Sequence, residues 1–520
     1  ALTIQGETNG TGKLYVNSGE HINSDDAWTY SVALFINGDL EVKSASVTAQ
    51  GGKAVNGDCA FSLGVQLSEG HNLSVSGGTL TAVGGESYNT EDPKNIRESF
   101  SEGIDISRGN VTISGSGKLI VKTVSDMMEK GLSFGLYIIQ GSLFVSDSAS
   151  LTVKTSHAID ISGGDLKISG GKICSYATSD DAAISVTRNI FNNAGNGNIE
   201  ITGGEIECVG GGIYMSASPK TEEMGILSVT GGKLTADSIY GPNKLTISDS
   251  TVTSGRINAD TVSLQSGSLT IREPVYKNEK TNVLYASYAI YCKDIIVSGG
   301  TLDAAWDWGE YTPSVFPADS YWGYAQPLIK TLNGTVSFGG GTVTLNTGCA
   351  GNTVLKVGTL NLSGGVRGSG YTNEDGSDTY IQKDGSTPVR FAVYPADYTK
   401  VDTALNKVKT FDKNLYKDFS AVEAAVNAVV RGKNIDEQAA VNAMAQAIED
   451  AIAALEYKDA DYSKVDEAIA KANALSKDDY KDFSAVQSAV NAVVRGKNIT
   501  EQTAVDAMAK AINDAIAALE

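Results

Sequence analysis

From the N-terminus to about Phe391, apolar and polar positions alternate in short bursts organised by one recurring phrase. The phrase is apolar, any, apolar, Ser/Thr, Gly, Gly, any, apolar, any, apolar or small. It reads LSVSGGTLTA at 73–82, LKISGGKICS at 166–175, IEITGGEIEC at 199–208, LSVTGGKLTA at 227–236, IIVSGGTLDA at 295–304 and VSFGGGTVTL at 336–345. Weaker copies stand at 111–121, 245–254 and 360–366. Each half is a period-two strand with one face buried. The Gly-Gly pair lets the backbone turn a corner with φ above zero, free of a Cβ clash. Upstream of each phrase sits a third short strand, such as GIDIS at 103–107, AIDIS at 158–162 and GIYMS at 212–216. Its inward anchors are Ile104, Leu136, Ile159, Ile184, Ile213, Ile239, Ile257 and Ile290, spaced by about 18 to 33 residues. A stacked coil tolerates such irregular spacing because extra length goes into corner loops. Three short strands per turn predict a mainly β fold over residues 1–393: a right-handed parallel β-helix. At ~4.8 Å per coil, about twelve coils would span on the order of 60 Å. The alternative, a sandwich or barrel, needs hairpins and antiparallel register, whereas here the same corner chemistry returns in the same phase.

Near Phe391 the grammar changes: glycine nearly vanishes and alanine rises. Asp397-Tyr398-Thr399-Lys400-Val401-Asp402 returns as Asp461-Tyr462-Ser463-Lys464-Val465-Asp466, and NAVVRGKNI at 427–435 returns unchanged at 491–499, an offset of 64 residues. The pattern predicts two all-α three-helix bundles, residues 394–456 and 457–520. The first helix of each is expected to start at Asp397 or Asp461, a good N-cap residue. The second should run from Ser420 or Ser484 to Gly432 or Gly496, a C-cap signal. The third should start at Asp436 or Thr500, with Val441, Met444, Ile448, Ile452 and Leu455 on one face. The short link Tyr457-Lys458-Asp459-Ala460 should hold the two copies close.

Composition narrows the class. With 520 residues the chain is too long for one ordinary domain, and its formal net charge is −20. That balance argues against nucleic acid as a partner, since no basic face is evident to neutralise phosphates. The five cysteines, Cys59, Cys174, Cys208, Cys292 and Cys349, contain no CxxC spacing; neither a zinc site nor a full disulfide framework is expected. Cys208 and Cys292 fall at inward strand positions and read as small apolar residues. No apolar run approaches the ~20 residues of a membrane span. Ala1 leads straight into a strand-like stretch, so the sequence reads as the mature part, or a cut piece, of an extracellular protein, secreted or wall-attached.

The segment HAIDISGGDLKISGG at 157–171 resembles the coil phrase of bacterial carbohydrate-binding β-helix proteins within the pectate-lyase-like superfold. The resemblance covers most of residues 30–370. It implies binding of polysaccharide and calcium without hydrolysis. Residues 397–520 resemble the FIVAR modules ("found in various architectures") of Gram-positive surface proteins and large carbohydrate-active enzymes, which act as spacers or ligand-binding bundles. Their architecture is also similar to the three-helix antibody-binding domains of staphylococcal protein A, which makes a host protein such as immunoglobulin an alternative partner.

No catalytic set assembles from the residues. Gly70-His71 precedes Asp180-Asp181, the reverse of a polygalacturonase-like order, and Arg108, Arg188 and Arg256 belong to no recognisable lyase set. His21, His71 and His157 are scattered and read as solvated turn residues. The expectation is a non-enzymatic protein binding polysaccharide or host glycan; a lyase or glycosidase with an unrecognised site is the remaining enzyme alternative. Asp160, Asp180 and Asp181 are candidate calcium ligands at a coil corner, against the plainer reading of an acidic loop. Two features are candidate glycan surfaces. The first is the stretch 303–327, with Trp306, Trp308, Tyr311, Tyr321, Trp322 and Tyr324, whose rings either stack on sugar faces or fold back to cover the coil. The second is the outward position after each anchor, which holds Asp105, Tyr137, Asp160, Ser185, Tyr214, Tyr240, Asn258 and Tyr291. Stacking would bring these into one column, either a stabilising ladder or a polar-aromatic track.

Overall fold

The computed structural model describes residues 1–6, 12–23, 28–56, 59–89, 99–124, 132–177, 182–187, 197–216, 225–280, 284–314, 326–372, 380–385 and 387–520. It is mainly β, 49% strand and 18% helix, with the helices at the C-terminus. The chain divides into two compact units, Ala1–Val393 and Tyr394–Glu520. Among the described residues no helix is long and apolar enough to cross a membrane.

In the β unit the strands pair mostly in parallel with their counterparts one repeat away, and the registers fall into three columns. One column aligns Ile104, Leu136, Ile159, Ile184, Ile213, Ile239, Ile257, Ile290, Ile329 and Leu355. A second aligns the first halves of the phrase, as in Leu143↔Leu166↔Ile199↔Leu227↔Leu245↔Val262↔Ile295. The third aligns the second halves, as in Leu80↔Leu119↔Leu151↔Ile173↔Ile206↔Leu234↔Val252↔Leu269↔Leu302. These apolar residues are almost wholly shielded and form one cluster running from Ile36 to Phe391. Burying each such side chain stabilises by roughly 1.5–3 kcal/mol.

Two corner devices hold the repeats in register. The Gly-Gly turns lie one on another: Gly204 has φ +78°, and a Cβ there would come within 2.6 Å of the Gly171 carbonyl oxygen. At another corner, side chains cap the backbone of the next repeat. Asp39 Oδ1 accepts from the Asn72 amide at 2.8 Å, Asn72 Oδ1 from Asn110 at 2.9 Å, and Asn110 Oδ1 from Ser142 at 2.9 Å. Ser142 Oγ, Asp165 and Asn198 continue the row to Ile226. Toward its C-terminal end the unit departs from purely parallel pairing. Val389–Val393 runs antiparallel to both Thr342–Asn346 and Val366–Ser369, and Tyr380–Lys383 runs antiparallel to Thr353–Lys356. Phe391 in this closing strand is fully buried, 4.9 Å from the Phe338 ring. Antiparallel closure occupies strand edges that would otherwise pair with another chain.

The helical unit holds Thr399–Val408, Ser420–Asn427 and Gln438–Ala453, then Ser463–Asn473, Ser484–Asn491 and Gln502–Ala517. Asp397 and Asp461 accept the amides of Thr399 and Ser463, each at 2.8 Å. The second helix of each copy ends at Asn427 or Asn491, short of the expected glycine. Gly432 and Gly496, at φ +85° and +84°, instead turn the loop that follows. The third helix begins after a 3₁₀ turn at Ile435–Glu437 or Ile499–Glu501, where Asn434 with Glu437, and Asn498 with Glu501, form capping boxes. Val441, Ile448 and Ile452 are buried, with Met444 and Leu455 packed beside them. The link is pinned on both sides: the Lys458 amide donates to Leu415 and its carbonyl accepts from Ile499. The Tyr416 and Tyr457 rings stack at 4.7 Å.

Candidate glycan-binding groove

The outward residues after each anchor do stand in one column. Strand register aligns Phe35, Gln66, Asp105, Tyr137, Asp160, Ser185, Tyr214, Tyr240, Asn258, Tyr291, Lys330 and Lys356 in that order. Period-two alternation explains it: each neighbour is an inward anchor, so this position faces out in every repeat. Tyr214 and Tyr240 lie 5.3 Å apart with ring planes only 4° from parallel, and they are 43% and 46% exposed. Tyr291 stacks instead on Tyr288 at 5.1 Å, and Lys330 Nζ donates to the Tyr288 hydroxyl at 3.1 Å. A groove of about 360 Å³ opens along the middle of the column, lined by His157, Asp160, Ser185, Tyr214, Ser238 and Tyr240 among others.

The acidic part of the column is unusual in its charges. Gln66 Nε2 donates to Asp105 at 3.0 Å. Burial pushes the Asp105 carboxyl above the ordinary carboxylate range, the Gln66 contact opposing it, and pushes Asp160 up to about 6. Tyr137, between them in register, is pushed up to about 12, first by burial and then by the negative fields of Asp160, Glu102 and Asp105. Glu102 lies on the same strand as Asp105 and is only 6% exposed; burial, with Asp105 adding, raises it to about 8. Beside these carboxyls runs an aromatic row: Trp28, Tyr30, Phe61, Phe100 and Phe134, with centroid spacings of 5.3 Å for Trp28–Phe61, 4.8 Å for Tyr30–Phe61, 4.9 Å for Phe61–Phe100 and 6.5 Å for Phe100–Phe134. It ends at His157, 5.2 Å from Phe134.

Several sequence expectations are corrected here. Trp306 and Trp308 are not an exposed platform; they are 4% and 8% exposed and belong to the core cluster. Their indole N–H groups donate to the carbonyls of Ser287 at 3.1 Å and Thr347 at 3.2 Å, and the rings meet edge to face at 6.3 Å. The cause is the strand period, since Trp306 and Trp308 continue the buried phase of Leu302 and Ala304. Tyr311 is half-buried and packs against the same cluster. Tyr321, Trp322 and Tyr324 lie outside the described residues, as do Asp180, Asp181 and Arg188. Of the candidate calcium ligands only Asp160 is described, and among the described residues no group of three or more His, Cys, Asp or Glu converges to hold a metal. His157 is half-buried in a strand and lines the groove, not a solvated turn. Cys208 and Cys292 are buried free thiols, 3% and 2% exposed.

A second, larger concavity of about 640 Å³ surrounds Arg256, Arg272 and Glu273. Both of its arginines are already paired, Arg256 with Glu273 and Arg272 with Asp303. Comparison of the chain with models of protein families, with curated proteins and with solved structures returned no match.

Proposed function

We propose that this chain is a non-enzymatic, extracellular glycan-binding protein, whose β unit is a right-handed parallel β-helix and whose C-terminal unit is a pair of FIVAR-like three-helix modules acting as spacers. The three columns of parallel strands support the coil architecture, and the 64-residue repeat of helices supports the modules. The observation that carries the binding reading is the Tyr214–Tyr240 pair: two half-exposed, parallel rings on rigid strands beside a polar groove. Sugar rings present apolar C–H faces that stack on flat aromatics, while Asp160, Ser185 and Ser238 offer hydroxyl partners. Groups fixed on strands need little ordering when a ligand arrives.

The test is affinity electrophoresis of the intact protein through a panel of polysaccharides, beside Tyr214→Ala with Tyr240→Ala. Retention by at least one polysaccharide, weakened roughly tenfold in the double variant, is expected, since each stack contributes about 1 kcal/mol. Equal retention of both proteins by every polysaccharide would sink the reading. A second reading is favoured by one observation: Glu102 and Asp160, two strands apart in the same stretch, differ in proton affinity, as an acid and a base must. Release of reducing or unsaturated ends that disappears in Glu102→Gln would make the groove a glycosidase or lyase site. A partner on the helical unit is the other alternative; Val430 and Val494, 56% and 57% exposed in identical loops, are where it would dock.

A further inference from the structure

The acidic stretch beside the groove, which reaches it at Asp160, carries chemistry that stacking on tyrosine leaves unused. Glu102 is more than nine-tenths buried, and among the described residues it has neither a hydrogen-bond nor an ion-pair partner. The titratable groups in its field are Asp105 on its own strand, Tyr137 on the strand that follows, and Tyr30 from the preceding side. Asp160 and His157 come from the strand beyond Tyr137, and Cys59 neighbours Tyr30. Asp160 likewise has no ion-pair partner, and Asp105 has only the neutral Gln66 amide. Elsewhere in the β unit several buried or half-buried acids meet a cation: Glu273 meets Arg256, Asp303 meets Arg272, and Glu205 meets Lys172 and Lys233. Three carboxyls together without one are costly only in the ionised form, so they hold their protons unless a cation arrives.

Two kinds of ligand restore the balance, a metal ion or an organic cation. A metal needs several groups converging on one point, and the described residues hold no such group. An ammonium group needs less: a carboxylate oxygen or two and the face of an aromatic ring. Both are present. Phe134 and Tyr137 lie 5.5 Å apart beside the carboxyls, and Tyr214 and Tyr240 follow along the same column. With neighbouring strands ~4.8 Å apart, Asp105 to Asp160 and Asp160 to Tyr214 are each steps of about 10 Å.

We propose that the stretch from Glu102 to Tyr240 binds a polysaccharide bearing free primary amines, its ammonium groups lying against Asp105 and Asp160 on either side of the Tyr137 ring while adjoining sugar faces stack on Tyr214 and Tyr240. The proposal rests on the glycan-binding reading and adds the class of sugar. A cation here pulls protons off the raised carboxyls. Below about pH 6, where the sugar amines are themselves fully protonated, binding therefore releases protons, and affinity rises with pH from about 5 to 6 as Asp160 ionises.

The experiment is calorimetry on the intact protein at about pH 5.5, where the sugar amines are fully protonated and Asp160 and Glu102 still carry protons, with three β-linked hexamers: glucosamine, N-acetylglucosamine and glucose. It is repeated in two buffers of different ionisation enthalpy to count protons, with spermidine as a cation that is no sugar. The glucosamine hexamer should bind at least tenfold more tightly than the other two, with proton release. Glu102→Gln with Asp160→Asn should abolish that preference and the release. Both changes keep side-chain shape, and a melt confirms that the double variant stays folded; Asp105→Asn is the substitute if it does not. Equal or tighter binding of the neutral hexamers, or binding without proton release, overturns the amine proposal and leaves the glycan reading standing. Binding of spermidine by the unaltered protein, with no hexamer bound, keeps the cation site and overturns the amine-polysaccharide proposal. No binding of any of the four overturns that proposal and the cation site together, while the polysaccharide panel decides the glycan reading.

Discussion

In the β unit the carboxyls of Glu102, Asp105 and Asp160 share a buried stretch with no cation paired to them among the described residues, whereas in the helical unit Asp402, Glu437, Asp466 and Glu501 each face one. Arg431 pairs with Asp402 while lying 4.8 Å over the Tyr398 ring, and Arg495 repeats this with Asp466 and Tyr462 at 4.9 Å. Lys433 and Lys497 reach Glu437 and Glu501 at 2.7 Å. The two units also bury apolar surface differently. One continuous core runs along the β unit, while the helical unit has three separate smaller clusters. The lesson lies in what duplication preserved. The helical copies keep the same charge pairs at equivalent positions, although at such exposed sites each pair contributes little to stability. The β repeats keep inward anchors and corner glycines but let the outward column vary from Asp to Tyr to Lys, so that column is free to serve recognition.

The largest expected effect separates packing from recognition inside the β unit. Trp308→Ala should destabilise that unit by about 3–5 kcal/mol, the range for emptying a large aromatic site, without changing glycan retention under conditions where the protein stays folded. A melting curve that does not move would restore the exposed platform that the sequence left open.

A middle-sized effect sets the two units against each other in pH. Burial raises the Glu102 carboxyl to about 8. A raised carboxyl contributes stability that is complete below its unfolded value near 4.3 and is lost as pH climbs through the folded value. In the helical unit, hydrogen bonds from Thr399 and Ser420 hold Asp397 and Asp418 low, and those from Lys497 and Arg495 hold Glu501 and Asp466 low. Their contribution is present above the ordinary carboxyl value and fades as pH falls through the lowered one. Between pH 5 and 8.5 the β transition should therefore drop in temperature while the helical transition holds, and below pH 4 the helical transition should fall. Glu102→Gln should flatten the β response. Parallel pH curves for both transitions would break the contrast.

The smallest effect is local. Asn434→Ala removes one side of a capping box and should cost about 1 kcal/mol, read in the helical transition alone. A shift in the β transition of similar size would show that the two units do not melt independently.

Much of this architecture could be read from the chain because its cause is periodic. The anchors Ile104 to Ile290 and the outward column follow from alternation alone, and the duplication at Asp397 and Asp461 is literal. The antiparallel closure at Val389–Val393 was not legible, since nothing in its pattern states which way the strand runs. Trp306 and Trp308 were misleading as a cluster of aromatics, yet their spacing from Leu302 and Ala304 already placed them in the buried phase. Glu102 gave no signal: it stands just outside the GIDIS phrase, and its burial comes from three-dimensional packing. Trp28 was overlooked because it stands apart from the other three tryptophans, although it is 59% exposed and stacks on Phe61.

The central claim is that recognition belongs to the outward column of the β unit. Hydroxyl-radical footprinting of the intact protein, with and without a saturating polysaccharide that retains it, reads this side chain by side chain. Tyr214 and Tyr240 should be oxidised several-fold more slowly in the complex while Val430 and Val494 are unchanged. Protection of Val430 and Val494 with Tyr214 and Tyr240 unaffected would contradict the account.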